Sequence, residues 1–222
     1  MRMCVVVPTR GRPTNLDRLK DAFVETKAEA DLFAIIDLDD PSIYSNRFYN
    51  MLQDNKTGGS VKSMSYAFRE LLNAPMFGHF DFFMVMGDDN IPRTKHWDRL
   101  IVEPLIGKTG IAYGNDLLQG AELPTNFCVT RDIAEALTKY GWPEATHLYI
   151  DNFMKQLGID IGALFYNPDI VIEHMHPMAK KAENDEGYMR VNRPELYTND
   201  LLAIQKYVRS ETYANLVNEL RS

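Results

Sequence analysis

The 222-residue chain is 45% hydrophobic and 25% charged, an ordinary globular composition that excludes wholesale disorder and suits one large α/β domain with a proper core. Its 24 Lys and Arg against 31 Asp and Glu give a net charge of −7, which disfavours a protein built to neutralise phosphates along a duplex. No apolar run approaches the ~18 residues that span a bilayer and the start of the chain lacks the apolar core of a secretion signal, so no membrane partner is expected and the expected compartment is the cytoplasm.

In chain order, residues 3 to 7 form a short β-rich run that feeds a basic, glycine-containing loop, Pro8-Thr9-Arg10-Gly11-Arg12-Pro13. The run carries Cys4, which with Cys128 makes up the whole cysteine complement. Neither has a metal-ligand spacing, and both read as buried thiols of a reducing compartment. Thr14-Asn15-Leu16-Asp17 has the pattern of a capping box, opening a helix to about Lys27 with Leu16, Leu19 and Phe23 on one face. A second strand over 32 to 36 ends in Asp37-Leu38-Asp39-Asp40. Residues 41 to 60 read mostly as loop. Apolar residues then recur at helical spacing from Val61 to Leu72, placing Lys62 near a helix start, a natural phosphate site.

The stretch from Phe80 to Met86 reads as a strand buried on both faces, from which the chain emerges into Gly87-Asp88-Asp89-Asn90-Ile91-Pro92. Ligands of open α/β sheets bind outside the carboxyl ends of strands, so Asp88 and Asp89 are expected to face a crevice, where paired carboxylates suit Mg²⁺ or Mn²⁺. The same residues also serve ordinary turn and N-cap chemistry. A helix from about Lys95 to Leu105 and a strand over 110 to 113 follow. Gly107-Lys108-Thr109 is not a P-loop, because Val102 stands where the motif needs glycine.

After a loop with Pro124-Thr125-Asn126 and the run Phe127-Cys128-Val129 comes a helix with Ile133, Ala134, Leu137 and Tyr140 on one face, ended by Gly141-Trp142-Pro143. Asp151-Asn152 leads into another helix. Residues 162 to 166 and 169 to 173 read as two late strands, and Ile170, Ile172, His174 and His176 alternate onto one face. Residues 177 to 193 are polar without a clear period and read as a lid loop. The tail over 194 to 222 is amphipathic and helical in parts. Carboxylates and imidazoles around a hard divalent ion, with Arg10, Arg12 and Lys62 nearby, are what a diphosphate leaving group needs. No Ser, His and Asp sit in a hydrolase elbow.

In this order the parts resemble the GT-A fold glycosyltransferases, which use nucleotide sugars. The likeness rests on Val5-Val6-Val7-Pro8-Thr9-Arg10, on Asp37 and Asp39 at the family's nucleobase and ribose position, and on Met86-Gly87-Asp88-Asp89-Asn90 at its DxD position. Asp151 before a helix and His174-Met175-His176-Pro177, with Lys180 six residues after His174, complete it. It looks closest to the short glycosyltransferase-like proteins of bacteriophage genomes, which would place it in a host cytoplasm. The resemblance implies an α/β GT-A domain over 1–222, with a mostly parallel central sheet flanked by helices. Within it fall a nucleotide-sugar-binding half (1–112), an acceptor-side half (113–176), the lid (177–193) and a helical tail (194–222).

It implies a metal-dependent transfer from a UDP-, GDP- or similar sugar, with Pro8, Thr9, Arg10, Arg12, Asp37, Asp39 and Lys62 on the donor. Asp88, Lys180, Asp185 and Tyr188 join them, and Asp89 holds Mn²⁺ or Mg²⁺ together with His174 or His176, the choice between the two histidines being open. Asp151 is the expected base for the acceptor hydroxyl; a protein, a glycan, a modified DNA base and a small molecule are all compatible acceptors. A strict DxD ending at Asp89 would need an acid at Gly87, and register with the motif favours Asp89 over Asp88 as the direct ligand. Two alternatives stand beside this reading. One is a sugar-1-phosphate nucleotidyltransferase, of whose glycine-rich basic loop Arg10-Gly11-Arg12 is a thin version. The other is a non-catalytic nucleotide-binding module.

Overall fold

The computed structural model describes residues 1–54, 59–181 and 186–221. Eight strands form one sheet: β1 (Met3–Thr9), β2 (Asp31–Asp37), β3 (Tyr49–Gln53), β4 (Phe82–Val85), β5 (Asn90–Pro92), β6 (Ile111–Asn115), β7 (Phe127–Thr130) and β8 (Leu164–His174). Their order is β3-β2-β1-β4-β7-β6-β8-β5. The first four in that order run parallel, β7 is antiparallel to both β4 and β6, β8 is parallel to β6, and β5 is antiparallel to β8. The chain thus builds outward from β1 on one side and returns to its other side with β4. That reversal opens a crevice at the carboxyl ends of β1 and β4.

The helices are α1 (Pro13–Thr26), α2 (Ser60–Leu72), α3 (Trp97–Val102), α4 (Arg131–Tyr140), α5 (Ile150–Asp160), α6 (Glu186–Val191), α7 (Pro194–Val208) and α8 (Glu211–Arg221). Alternation along the strands feeds two cores. Val6, Phe33, Ile35 and Phe83 pack with α2, α4, α5 and α8 on one face of the sheet; Val5, Val7, Leu32, Ala34 and Met84 pack with α1 and α3 on the other. Both faces of the central strands are therefore dry, as their unbroken apolar runs require. The expected division at residue 112 falls inside β6, so both halves share the sheet.

Several local expectations are corrected. The capping box does not form: Pro13 takes the first helical position after Arg12, with no side-chain cap, and its fixed φ starts the helix one residue earlier. Residues 49–53, read as loop, are β3; an edge strand exposed along most of its length carries no apolar alternation to reveal it. The two late strands are one, β8, whose pairing with β6 shifts register between Gly114 and Asn115 and so absorbs Pro168 as a bulge. The helix expected to Leu105 is α3, closing in a single 3₁₀ turn over Glu103–Leu105. The lid segment is not irregular throughout, since it contains α6, and the expected lid residue Asp185 lies outside the described residues.

β5 went unread because it is three residues long and ends in proline. It nevertheless sets the site. Asn90 pairs with His174, and the Met175 N–H donates to the Asp89 carbonyl at 2.8 Å, so the Asp88-Asp89 turn is tied to the end of β8.

Candidate active site

A cleft of about 350 Å³ opens at the carboxyl ends of β1, β2, β4 and β8. Of the expected donor residues, Pro8, Thr9, Arg10, Arg12, Asp37, Asp88 and Tyr188 line it, as do Asp89, His174, His176 and Asp151. Asp39 is exposed outside it but is bound by the Arg10 guanidinium, which also reaches Asp37 at 3.1 Å. Lys62 and Lys180 are exposed and do not line the cleft. At the start of α2, where a phosphate site was expected, two N–H groups have protein acceptors. The Ser60 N–H donates to His147 Nδ1 at 3.4 Å and the Val61 N–H to the Thr146 carbonyl at 3.3 Å.

The two adjacent acids have different surroundings. Asp88 accepts from Thr9 Oγ1 at 2.7 Å and from Arg12 Nη1 at 3.1 Å. Burial and the neighbouring Asp89 charge raise its pKa, which Arg12 and Thr9 only partly offset. Asp89 receives the Tyr188 hydroxyl and lies 3.5 Å from His174 Nε2. Burial pushes its carboxyl up, but His174, Tyr188 and Arg12 more than offset this and leave it below the usual carboxylate range.

The turn that presents Asp89 is closed around Gly87. The Asn90 side chain accepts the Gly87 N–H at 3.1 Å, and the Asn90 N–H returns to the Gly87 carbonyl at 3.1 Å. A Cβ on Gly87 would stand 2.5 Å from Asp89 Oδ1. An acid at 87 therefore competes for the space that the Asp89 carboxylate fills.

His174 lies between two acids, with Nε2 towards Asp89 and Nδ1 3.9 Å from Asp116. Burial alone would lower its pKa; the two carboxylates reverse that and push it up to about 9. The His176 ring lies 5.0 Å from that of His174 and 5.1 Å from Tyr188, over which Arg12 stacks at 4.3 Å. Asp151 opens α5, and burial raises its pKa, the direction a general base needs.

Asp89 Oδ2 and His174 Nε2 are separated by 3.5 Å, close to the ~3 Å edge of an octahedron with 2.1 Å bonds. As a pair they fit a divalent ion. Among the described residues no group of three or more His, Cys, Asp or Glu side chains is placed to hold a metal ion.

Sequence reasoning missed four residues. Asp116 follows β6 as Asp88 follows β4, a signal that was available; Asn90, quoted with the Asp88-Asp89 stretch but given no role of its own, opens β5. His147 and Gln53 gave none; Gln53 ends an unread strand and donates from Nε2 to Asp37 at 3.0 Å and to Ser63 Oγ at 2.6 Å.

No family model and no curated protein matches the chain. Solved structures do. S. aureus TarS aligns with 99% of this chain at 11% identity and a TM-score of 0.59, the chain spanning 43% of that protein. Glucosyl-3-phosphoglycerate synthase from Mycobacterium tuberculosis, in complex with Mn²⁺, UDP and phosphoglyceric acid, aligns with 97% at 13% identity and 0.55, covering 78% of that chain. A putative glucose-1-phosphate thymidylyltransferase from Bacillus anthracis aligns with 88% at 11% identity and 0.51, covering 99% of that chain. What this chain shares with them is the fold, the α/β architecture of the GT-A proteins.

Proposed function

We propose that the chain is a glycosyltransferase that moves a sugar from a nucleotide-sugar donor to an acceptor hydroxyl. The observation that carries the reading is the convergence of Arg12, Asp88, Asp89, His174 and Asp151 on one cleft at the sheet's reversal point. Asp89 and His174 would hold a divalent ion, with donor oxygens completing its shell, as is usual for Mg²⁺ at phosphate sites. The ion supplies positive charge where the diphosphate leaves.

The chain's own groups do the rest. Arg12, fixed by Asp88, orients that turn. Tyr188 covers the Asp89 oxygen that the ion would take and yields it as donor enters, so α6 acts as a lid over the site. Asp151 takes the proton from the attacking hydroxyl if the anomeric centre inverts.

The thymidylyltransferase shares this fold, so fold does not separate sugar transfer from nucleotidyl transfer. The loop after β1 favours the former: Arg10 and Arg12 are committed to Asp37, Asp39 and Asp88 rather than presented to a triphosphate. The two buried thiols, Cys4 and Cys128, accord with a cytoplasmic protein, and no helix among the described residues is long and apolar enough to cross a membrane.

The test is calorimetric titration of UDP- and GDP-sugars with Mn²⁺ or EDTA, followed by assay of donor cleavage. Binding should need the ion and vanish in Asp89→Ala with the fold intact. Unchanged affinity in EDTA removes the ion from the reading. Pyrophosphate from a sugar-1-phosphate and a nucleoside triphosphate identifies nucleotidyl transfer, and binding without any donor cleavage identifies a binding module.

A further inference from the structure

We infer that Asp116, which no part of the reading above employs, is the positioning residue that sets how His174 faces the ion; this rests on the ion-binding role proposed for Asp89 and His174. Asp116 follows β6 and is 1% exposed. One carboxylate oxygen, Oδ1, accepts three backbone N–H groups of its own loop, from Leu118 at 2.9 Å, Gln119 at 2.7 Å and Gly120 at 2.9 Å. The other, Oδ2, accepts the Thr125 hydroxyl at 2.8 Å and faces His174 Nδ1 at 3.9 Å. The loop thus fixes the carboxylate from one side and leaves its second oxygen aimed at the imidazole.

The backbone ties His174 to Asp116 as well, its N–H donating to the Asp116 carbonyl at 3.0 Å. Its Nδ1 is buried and has no hydrogen-bond partner at 3.9 Å. A ring rotation of under 1 Å at Nδ1 would close that gap to hydrogen-bond distance. Once Nε2 gives up its proton and Nδ1 keeps its own towards Asp116, Nε2 presents its lone pair to the position beside Asp89. A carboxylate behind a ligating histidine fixes its tautomer and raises its basicity, and losing such a partner costs about 10- to 100-fold in metal affinity.

Asp116→Asn isolates this role. The amide oxygen can still accept the three loop N–H groups, while the amide nitrogen turns a donor towards Nδ1 and favours the wrong tautomer. Free Mn²⁺ is counted by its electron paramagnetic resonance signal with UDP present, in wild type, Asp116→Asn, His174→Ala and the double variant. Asp116→Asn should weaken Mn²⁺ by about 10- to 100-fold. The double variant should be no weaker than His174→Ala, because the effect travels through the imidazole.

Wild-type affinity in Asp116→Asn overturns the inference. So does an equal loss on both backgrounds, which would mean the loop alone was damaged. Wild-type affinity in His174→Ala overturns the ion-binding reading itself, a separate result. Should Asp116→Asn not fold, wild-type protein labelled with ¹⁵N-histidine gives the answer in Mg²⁺ and UDP: an Nδ1–H tautomer at His174 is expected, and an Nε2–H tautomer overturns the inference.

Discussion

Replacing Asp200 tests whether the tail helices shape the cleft. Asp200 lies on α7, 1% exposed, and accepts the Thr146 N–H at 2.8 Å on one oxygen and the N–H groups of His147 and Leu148 at 2.9 and 2.8 Å on the other. His147 and Leu148 line the cleft beside α2, and Gly59 approaches this segment so closely that a Cβ there would stand 2.3 Å from the Thr146 carbonyl oxygen. Hydrogen bonds to a charged group contribute about 1.5–3 kcal/mol each. Thr146, His147 and Leu148 are only half-buried, so water can reach part of what Asp200→Ala exposes, and a total near the low end, about 3–5 kcal/mol, is expected.

Asp200→Asn should cost less, because its amide oxygen can keep the two-donor side while its nitrogen opposes the third N–H. Urea unfolding gives the order wild type, Asn, Ala. Native-state hydrogen exchange should show the amides of residues 146–148 freed first. If Asp200→Ala lies within about 1 kcal/mol of wild type, the three bonds are not what holds this wall, and the reasoning fails.

Gly87→Ala should push the Asp89 carboxylate off its partners and weaken Mn²⁺-dependent donor binding by at least tenfold, as calorimetry would read; wild-type affinity would show that the carboxylate has room to move. His147 is neutral, its pKa lowered to about 4 from the usual ~6.5 because the surrounding protein withholds water from the imidazole. A depressed histidine pKa means the unfolded chain takes the proton first, so the contribution is intact above pH ~6.5 and is lost as pH falls towards 4. Denaturation across that window should slope more steeply in wild type than in His147→Gln, and parallel curves would contradict it. Asp151→Asn should abolish transfer and keep donor affinity; a near-normal rate would leave Asp151 only a positioning part.

What was legible in the sequence follows the range of the interactions involved. The unbroken apolar runs of β1, β2 and β4 announce strands dry on both faces, and the acids that follow β2 and β4 sit where a strand end must release polar groups to solvent. Each of those signals lies within about ten residues of chain. The site itself depends on contacts that are not local. Asp89 meets His174 because β5 pairs with β8, and β5 is three residues ending in a proline that reads locally as a stop. Residues 170 to 174 alternate to the end of β8, yet nothing in that alternation says which strand end they face. Lys62 illustrates the converse: helix start and cation are both present, but the loop over 146–147, more than 80 residues away, takes the N–H groups first. Gly87 shows why a motif read letter by letter misleads here. The residue at which the sequence departs from DxD is the one whose missing side chain leaves room for the Asp89 carboxylate, so the departure and that carboxylate belong to the same turn.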